Sequence, residues 1–145
     1  MKLLGSVFAL LSVMLTLSAL AHEAPKTDAA KQKYIDEHIR VFDVESRYFS
    51  TLLNEDGSPG VQYSVKNFGP ETVVKLEVTF YVLDKLGIRF GESKFRPLLT
   101  LFGKEPLKPN YTRRTPKDEV MSLGELGDEW SGRVEYEVTD IEFAD

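Results

Sequence analysis

Two histidines, a run of cations and several paired carboxylates are the residues of this 145-residue chain whose types and spacing invite chemistry. His22 directly follows Ala19-Leu20-Ala21. A cut after Ala21 makes it the first residue, and a free N-terminal histidine offers an amine and a ring nitrogen, donors that suit Cu(II). His38 is the one other imidazole in the sequence. A metal site is defined by ligand number and geometry, and two imidazoles supply little of either. The bland reading makes His22 a linker residue exposed by processing and His38 a surface residue at the domain entrance. No cofactor and no metal ligand is therefore assigned, and copper binding at His22 is kept as the alternative reading. The carboxylates Asp128-Glu129 and Glu135/Glu137 have the spacing of acid–base pairs. With 23 acidic residues, however, such pairs are expected on solvated faces. The nucleophile elbow, the zinc-protease motif, the phosphate-binding loop and the dinucleotide fingerprint are all missing from the sequence. No catalytic residue is assigned, and an enzyme is not expected.

The cations are unevenly placed. Residues 85–117 hold nine basic side chains against Glu92 and Glu105, although the whole chain carries a net charge of −5. Two explanations stay open. Strands rich in Lys and Arg, set beside acidic ones such as "RVEYEVTDIE", form cross-strand ion pairs worth ~0.2–1 kcal/mol each. Alternatively the segment docks an anionic partner: an acidic protein face, lipid headgroups or a cell-wall polymer. Docking would place the contact at Arg96, Lys108, Arg113 and Arg114. Adjacent strand residues point to opposite faces, so only one of Arg113 and Arg114 serves a given surface. The loop 118–130 and pairing at a free sheet edge are further docking routes. The acidic total argues against general nucleic-acid binding, which depends on neutralising phosphates.

The segments that must position these residues begin with an export signal. Lys2 starts residues 1–21, Leu3 to Leu20 form an apolar stretch, and the small residues of Ala19-Leu20-Ala21 end it, the pattern of a cleaved signal peptide. An uncleaved anchor is the rival, because the stretch nearly reaches the ~20 residues that span a bilayer. Cleavage predicts a periplasmic or secreted protein that does not span the membrane. The absence of cysteine rules out a disulfide scaffold, thiolate metal sites and cysteine nucleophiles. Residues 22–36 read as a polar linker ending in a helical turn or two, with Asp28 as cap and Ala30 and Tyr34 on one face.

Residues 37–145 read as one β-sandwich domain, because the apolar period changes to two. Phe42, Val44 and Tyr48 share a parity within 39–49, and "NEDGSPG" (54–60) reads as a turn. Val61, Tyr63 and Val65 alternate, and so do Val74, Leu76, Val78, Phe80 and Val82. Residues 88–99 return after Asp84-Lys85-Leu86-Gly87, with Gly91 marking a bulge. Residues 107–115 read as an edge strand, because Pro109 cannot donate to a ladder. The last strand, 132–143, changes parity from Val134, Tyr136 and Val138 to Ile141 and Phe143, which places a bulge or twist near Thr139-Asp140. Trp130 is expected to plug the open end of the sandwich.

Six or seven strands joined by turns predict an all-β, antiparallel sandwich, with a barrel as the main alternative. The stretch "NFGPETVVKLEVTFYVLDKLGIRF" (67–90) resembles the FxLYD-type domains of bacterial and archaeal envelope proteins, with Asn67, Gly69, Phe80, Asp84 and Gly87 at matching places. "PLKPNYTRR" (106–114) is similar to the strand entry that follows in such domains, and "EWSGRVEYEVTDIEF" (129–143) to their closing strand. Val82-Leu83 replaces the family's Leu-Tyr, and Asn110 a usual glycine. The resemblance covers residues 40–143. It implies an immunoglobulin-like sandwich in the cell envelope, and it implies no catalytic residues. The expected role is a non-enzymatic binding or accessory domain that contacts a protein or an anionic envelope component.

Overall fold

The computed structural model describes residues 23–51, 54–99, 104–116 and 119–145. Residues 1–21, expected to be an export signal, and His22 lie outside the described residues. Helix α1 (Asp28–His38) leads into strands β1 (Ile39–Thr51), β2 (Asn54–Asn67), β3 (Val73–Asp84) and β4 (Arg89–Leu99). Then come β5 (Thr112–Arg114), β6 (Met121–Ser122) and β7 (Trp130–Phe143). All pairings are antiparallel and make two sheets, one ordered β1-β2-β5 with β6 also on β2, the other ordered β4-β3-β7. The sheets pack in a sandwich-like arrangement, and no strand ladder joins them among the described residues.

The core is the inward parity of the two central strands. Val61, Tyr63 and Val65 of β2 meet Leu76, Val78, Phe80 and Val82 of β3, with Ile141 of β7. The Tyr63 and Phe80 rings lie 5.0 Å apart at the centre. Each fully buried side chain of this size contributes ~1.5–3 kcal/mol, so two alternating strands suffice to hold the sheets together. At the entry of β3 the ladder to β7 slips between Val73 and Lys75, so Val73 is fully buried and Val74 is not. The break expected in β7 is present. Asp140 pairs with Glu77 and Val138 with Val78, which leaves Thr139 as the extra residue and turns Ile141 back into the core. A slip in the β3–β4 ladder beside Gly91 leaves Phe90 unpaired.

Four local expectations need correction. In β1 the ladder skips between Phe42 and Glu45, where Asp43 has φ of 51°. Val41 and Val44 therefore both pack on the core, while Phe42 lies opposite Ser64. Residues 54–60 are the first half of β2 and not a turn. Gly57, with φ of 82°, absorbs the irregularity there. Of the strand expected over 107–115, only Thr112–Arg114 forms; Pro109 and Asn110 make a turn, and Leu107 bridges to Val73. Finally, Thr27 and not Asp28 caps the helix, its hydroxyl accepting from the Ala30 amide at 3.2 Å.

That helix runs 11 residues, longer than one or two turns, and buries Tyr34 and Ile35 against one end of the sandwich. Asn67, fully buried, organises the contact. Its Oδ1 accepts from the Tyr34 hydroxyl at 3.0 Å and the Gly69 amide at 3.0 Å. Its Nδ2 donates to the carbonyls of Glu71 at 2.6 Å and Leu107 at 3.2 Å. Gly69 must be a glycine for space, because a Cβ there would lie 2.3 Å from the Tyr34 oxygen and 2.8 Å from the His38 ring. At the other end Trp130 is buried, 5.2 Å from the Tyr48 ring, and its indole N–H donates to the Arg133 carbonyl.

Candidate functional site

The basic segment divides into two populations. On the outer face of β4-β3-β7, cations sit opposite acids of neighbouring strands. Arg89 reaches Glu135 at 2.5 Å and stacks 3.9 Å above the Tyr81 ring, whose hydroxyl donates to Glu137. Lys94 instead lies 3.8 Å from Glu92 of its own strand. Arg96 reaches Glu77 at 3.0 Å, and Thr139 donates to the other oxygen of that carboxylate. Glu77 is only 8% exposed, so this pair loses less to solvent screening than its neighbours. Lys75 binds Asp140 and Glu142 at 2.7 and 2.8 Å. The Lys75 ammonium holds the Asp140 carboxyl below its usual range, and the two carboxylates raise Lys75 in turn. These strands account for their own charge.

The second population faces the other margin of the sandwich. Arg113 pairs with Val65 and Arg114 with Ser64, so the two arginines leave opposite faces of β5. Arg113 shares the parity of the core residue Val65 and is half-buried, and its guanidinium donates to the Glu105 carbonyl at 2.7 Å. Both arginines, with Lys104, line a cleft of about 350 Å³ that Glu105 and Glu119 also border. None of these five charged side chains has an ion-pair partner among the described residues. Thr115 tightens the wall. Its hydroxyl donates to the Tyr63 carbonyl at 3.0 Å, and its amide reaches the same oxygen at 2.9 Å.

Tyr63 itself lines this cleft, is 3% exposed, and its hydroxyl has no hydrogen-bond partner among the described residues. Burial pushes its phenol well above the ordinary value, so the hydroxyl stays protonated. Inward alternation marked Tyr63 as a core residue, and nothing in the sequence signals that its oxygen is unpaired. Lys104 is visible only as one cation of a basic run.

Of the four residues grouped from the sequence, Arg113 and Arg114 both border the cleft, although they leave opposite faces of β5. Arg96 is committed to Glu77. Lys108 lies on the turn before β5, its amine 6.0 Å from the ring of exposed Tyr111, and does not line the cleft. His38, at the end of α1, packs its ring 4.7 Å from that of Tyr34. No group of three or more His, Cys, Asp or Glu able to hold a metal occurs among the described residues. No helix among them is long and apolar enough to cross a membrane. Compared with known protein families, with curated proteins and with solved structures, the chain matches none.

Proposed function

We propose that this protein is an exported, non-enzymatic binding domain of the cell envelope. In this reading it is an immunoglobulin-like sandwich that docks a macromolecular partner through the basic corner at β5. The strand orders β1-β2-β5 and β4-β3-β7 support the immunoglobulin-like reading, as does the resemblance to FxLYD-type domains. Residues 1–21 support export to the periplasm or beyond. One observation carries the binding reading. The cations Arg89, Lys94 and Arg96 of β4 are spent on ion pairs within their own sheet, while Lys104, Arg113 and Arg114 line a cleft and have no ion-pair partner among the described residues. Unpaired like charges held on a rigid edge attract an opposite charge and steer its approach.

Binding through this corner weakens as salt rises, because exposed charges are screened within ~10 Å at 0.1 M ionic strength. The test is cross-linking capture from native cell envelope, with the natural protein beside an Arg113→Glu/Arg114→Glu variant. One partner captured by the first and lost by the second supports the reading. The same partner captured by both moves the contact to the loop 118–130 or to another edge.

A further inference from the structure

A buried hydroxyl without a partner is costly to a fold, because it has given up water and gained nothing in return. Large buried tyrosines ordinarily find an acceptor. The Tyr63 hydroxyl has found none among the described residues. The cavity that Tyr63 lines is also bordered by three cations without an ion-pair partner among the described residues. An unused donor and unused positive charge at one place are the two halves of an oxyanion site.

We propose that the cleft between β5 and the end of β4 binds the carboxylate of an acidic peptide segment, with the Tyr63 hydroxyl as inner donor and Arg113 and Arg114 as cationic walls. The inference rests on the reading that the partner docks at this corner, and it names the chemistry that is recognised. Three features fit a carboxylate carried on a peptide. Among the described residues the rim holds Lys104, Arg113 and Arg114 against Glu105 and Glu119, an excess of one positive charge that favours an anion. A space of about 350 Å³ has room for an acidic side chain and part of its backbone. β5 is the last strand of its sheet, so its free edge offers backbone groups that only a peptide can pair with in ladder fashion. Bidentate hydrogen bonding by arginine to a carboxylate supplies orientation.

The proposal makes opposite demands on binding and on stability, which separates it from a structural role. Tyr63→Phe removes a hydroxyl that has no hydrogen-bond partner among the described residues. The melting temperature should stay level or rise, while affinity for the carboxylate falls by about tenfold, the loss expected for one hydrogen bond to a charged group. The exported protein, expressed from the full chain, is titrated with acetyl-Gly-Glu-Glu-Gly-amide, its Gln-Gln counterpart and inorganic phosphate, following the backbone amides of Tyr63, Arg113 and Thr115 by NMR. Saturable shifts with the Glu peptide, at least tenfold weaker binding of the Gln peptide and of phosphate, and weaker Glu-peptide binding by Tyr63→Phe and Arg113→Gln are the expected results. Equal binding of the Gln peptide, tighter binding of phosphate, no saturable shift at these amides, or an unaltered affinity in Tyr63→Phe overturns the inference. So does a lowered melting temperature in Tyr63→Phe, which would mean that the hydroxyl already has a structural partner. Envelope capture that depends on Arg113 and Arg114 but not on Tyr63 leaves the docking surface standing and removes the carboxylate site. Peptide binding in the cleft with envelope capture indifferent to both arginines does the reverse.

Discussion

Asn67→Asp exchanges one NH₂ for one oxygen at the centre of the network that seats α1. In the natural protein Oδ1 receives two hydrogen bonds and Nδ2 gives two, to the Glu71 and Leu107 carbonyls. An ionised aspartate would point a negative oxygen at those carbonyls, at separations of 2.6 and 3.2 Å, in a site without solvent exposure. The new side chain instead keeps its proton, which lets it donate one of the two lost bonds. Its folded-state pKa therefore lies above its unfolded value, so the native state binds the extra proton, and stability falls as pH rises from the unfolded pKa toward the folded one. Holding a proton at pH 7 against an unfolded pKa of ~3.9 costs about 4 kcal/mol, at ~1.4 kcal/mol per pH unit. The one bond still missing adds ~1 kcal/mol. Urea denaturation of variant and natural protein at pH 5, 6 and 7 measures the difference. It should grow by about 1.4 kcal/mol per pH unit and exceed 3 kcal/mol at pH 7. A difference below 1 kcal/mol that does not change with pH would refute the buried network.

Three other perturbations test separate parts of the fold. Gly69→Ala drives a methyl into Tyr34 and His38; it should cost ~2–4 kcal/mol and loosen α1, seen as faster amide exchange from Tyr34 to His38. A double-mutant cycle of Glu77→Gln and Arg96→Met should give a coupling of ~1–2 kcal/mol, above an exposed pair and below a fully buried one, because Arg96 is half-exposed while Glu77 is covered. Coupling near zero would make this pair an ordinary surface contact. In Lys75→Met the Asp140 carboxyl should titrate higher than in the natural protein, since the ammonium that holds it down is gone. Natural Asp140 supports folding above its unfolded pKa and withdraws that support as pH falls through the lower folded value. NMR titration of Asp140 in both proteins checks the direction, and an unchanged midpoint contradicts it.

The sandwich was legible because β2 and β3 alternate cleanly, and alternation encodes which face is buried without reference to partners. The Thr139 bulge was legible for the same reason, as a parity change within one apolar series is itself the signal. Bulges between mixed residues were silent. Asp43 resets β1 in a stretch where apolar and charged residues fit either parity. Gly57 and Pro59 carry turn chemistry, yet β1 pairs through them, with Tyr48 opposite Pro59 and Phe49 opposite Ser58. Local propensity lost there to long-range pairing. The helix was underestimated because its own apolar content is slight; Tyr34 matters through Asn67 and Gly69, more than 30 residues away. At the candidate site, composition located the cations but could not divide them. Pairing depends on strand neighbours, and only the register shows that Arg89 and Arg96 face acids while Arg113 and Arg114 do not.

That division is the central claim, and comparing charge reversals on its two sides tests it most directly. Affinity of the captured envelope partner is measured for the natural protein, for Arg113→Glu/Arg114→Glu and for Arg89→Glu/Lys94→Glu, each at low and moderate salt. The account predicts that the β5 reversal loses binding and its salt dependence, while the β4 reversal keeps both and instead lowers the melting temperature by breaking the Arg89–Glu135 pair. Equal loss in the two variants, or loss confined to the β4 reversal, would contradict it.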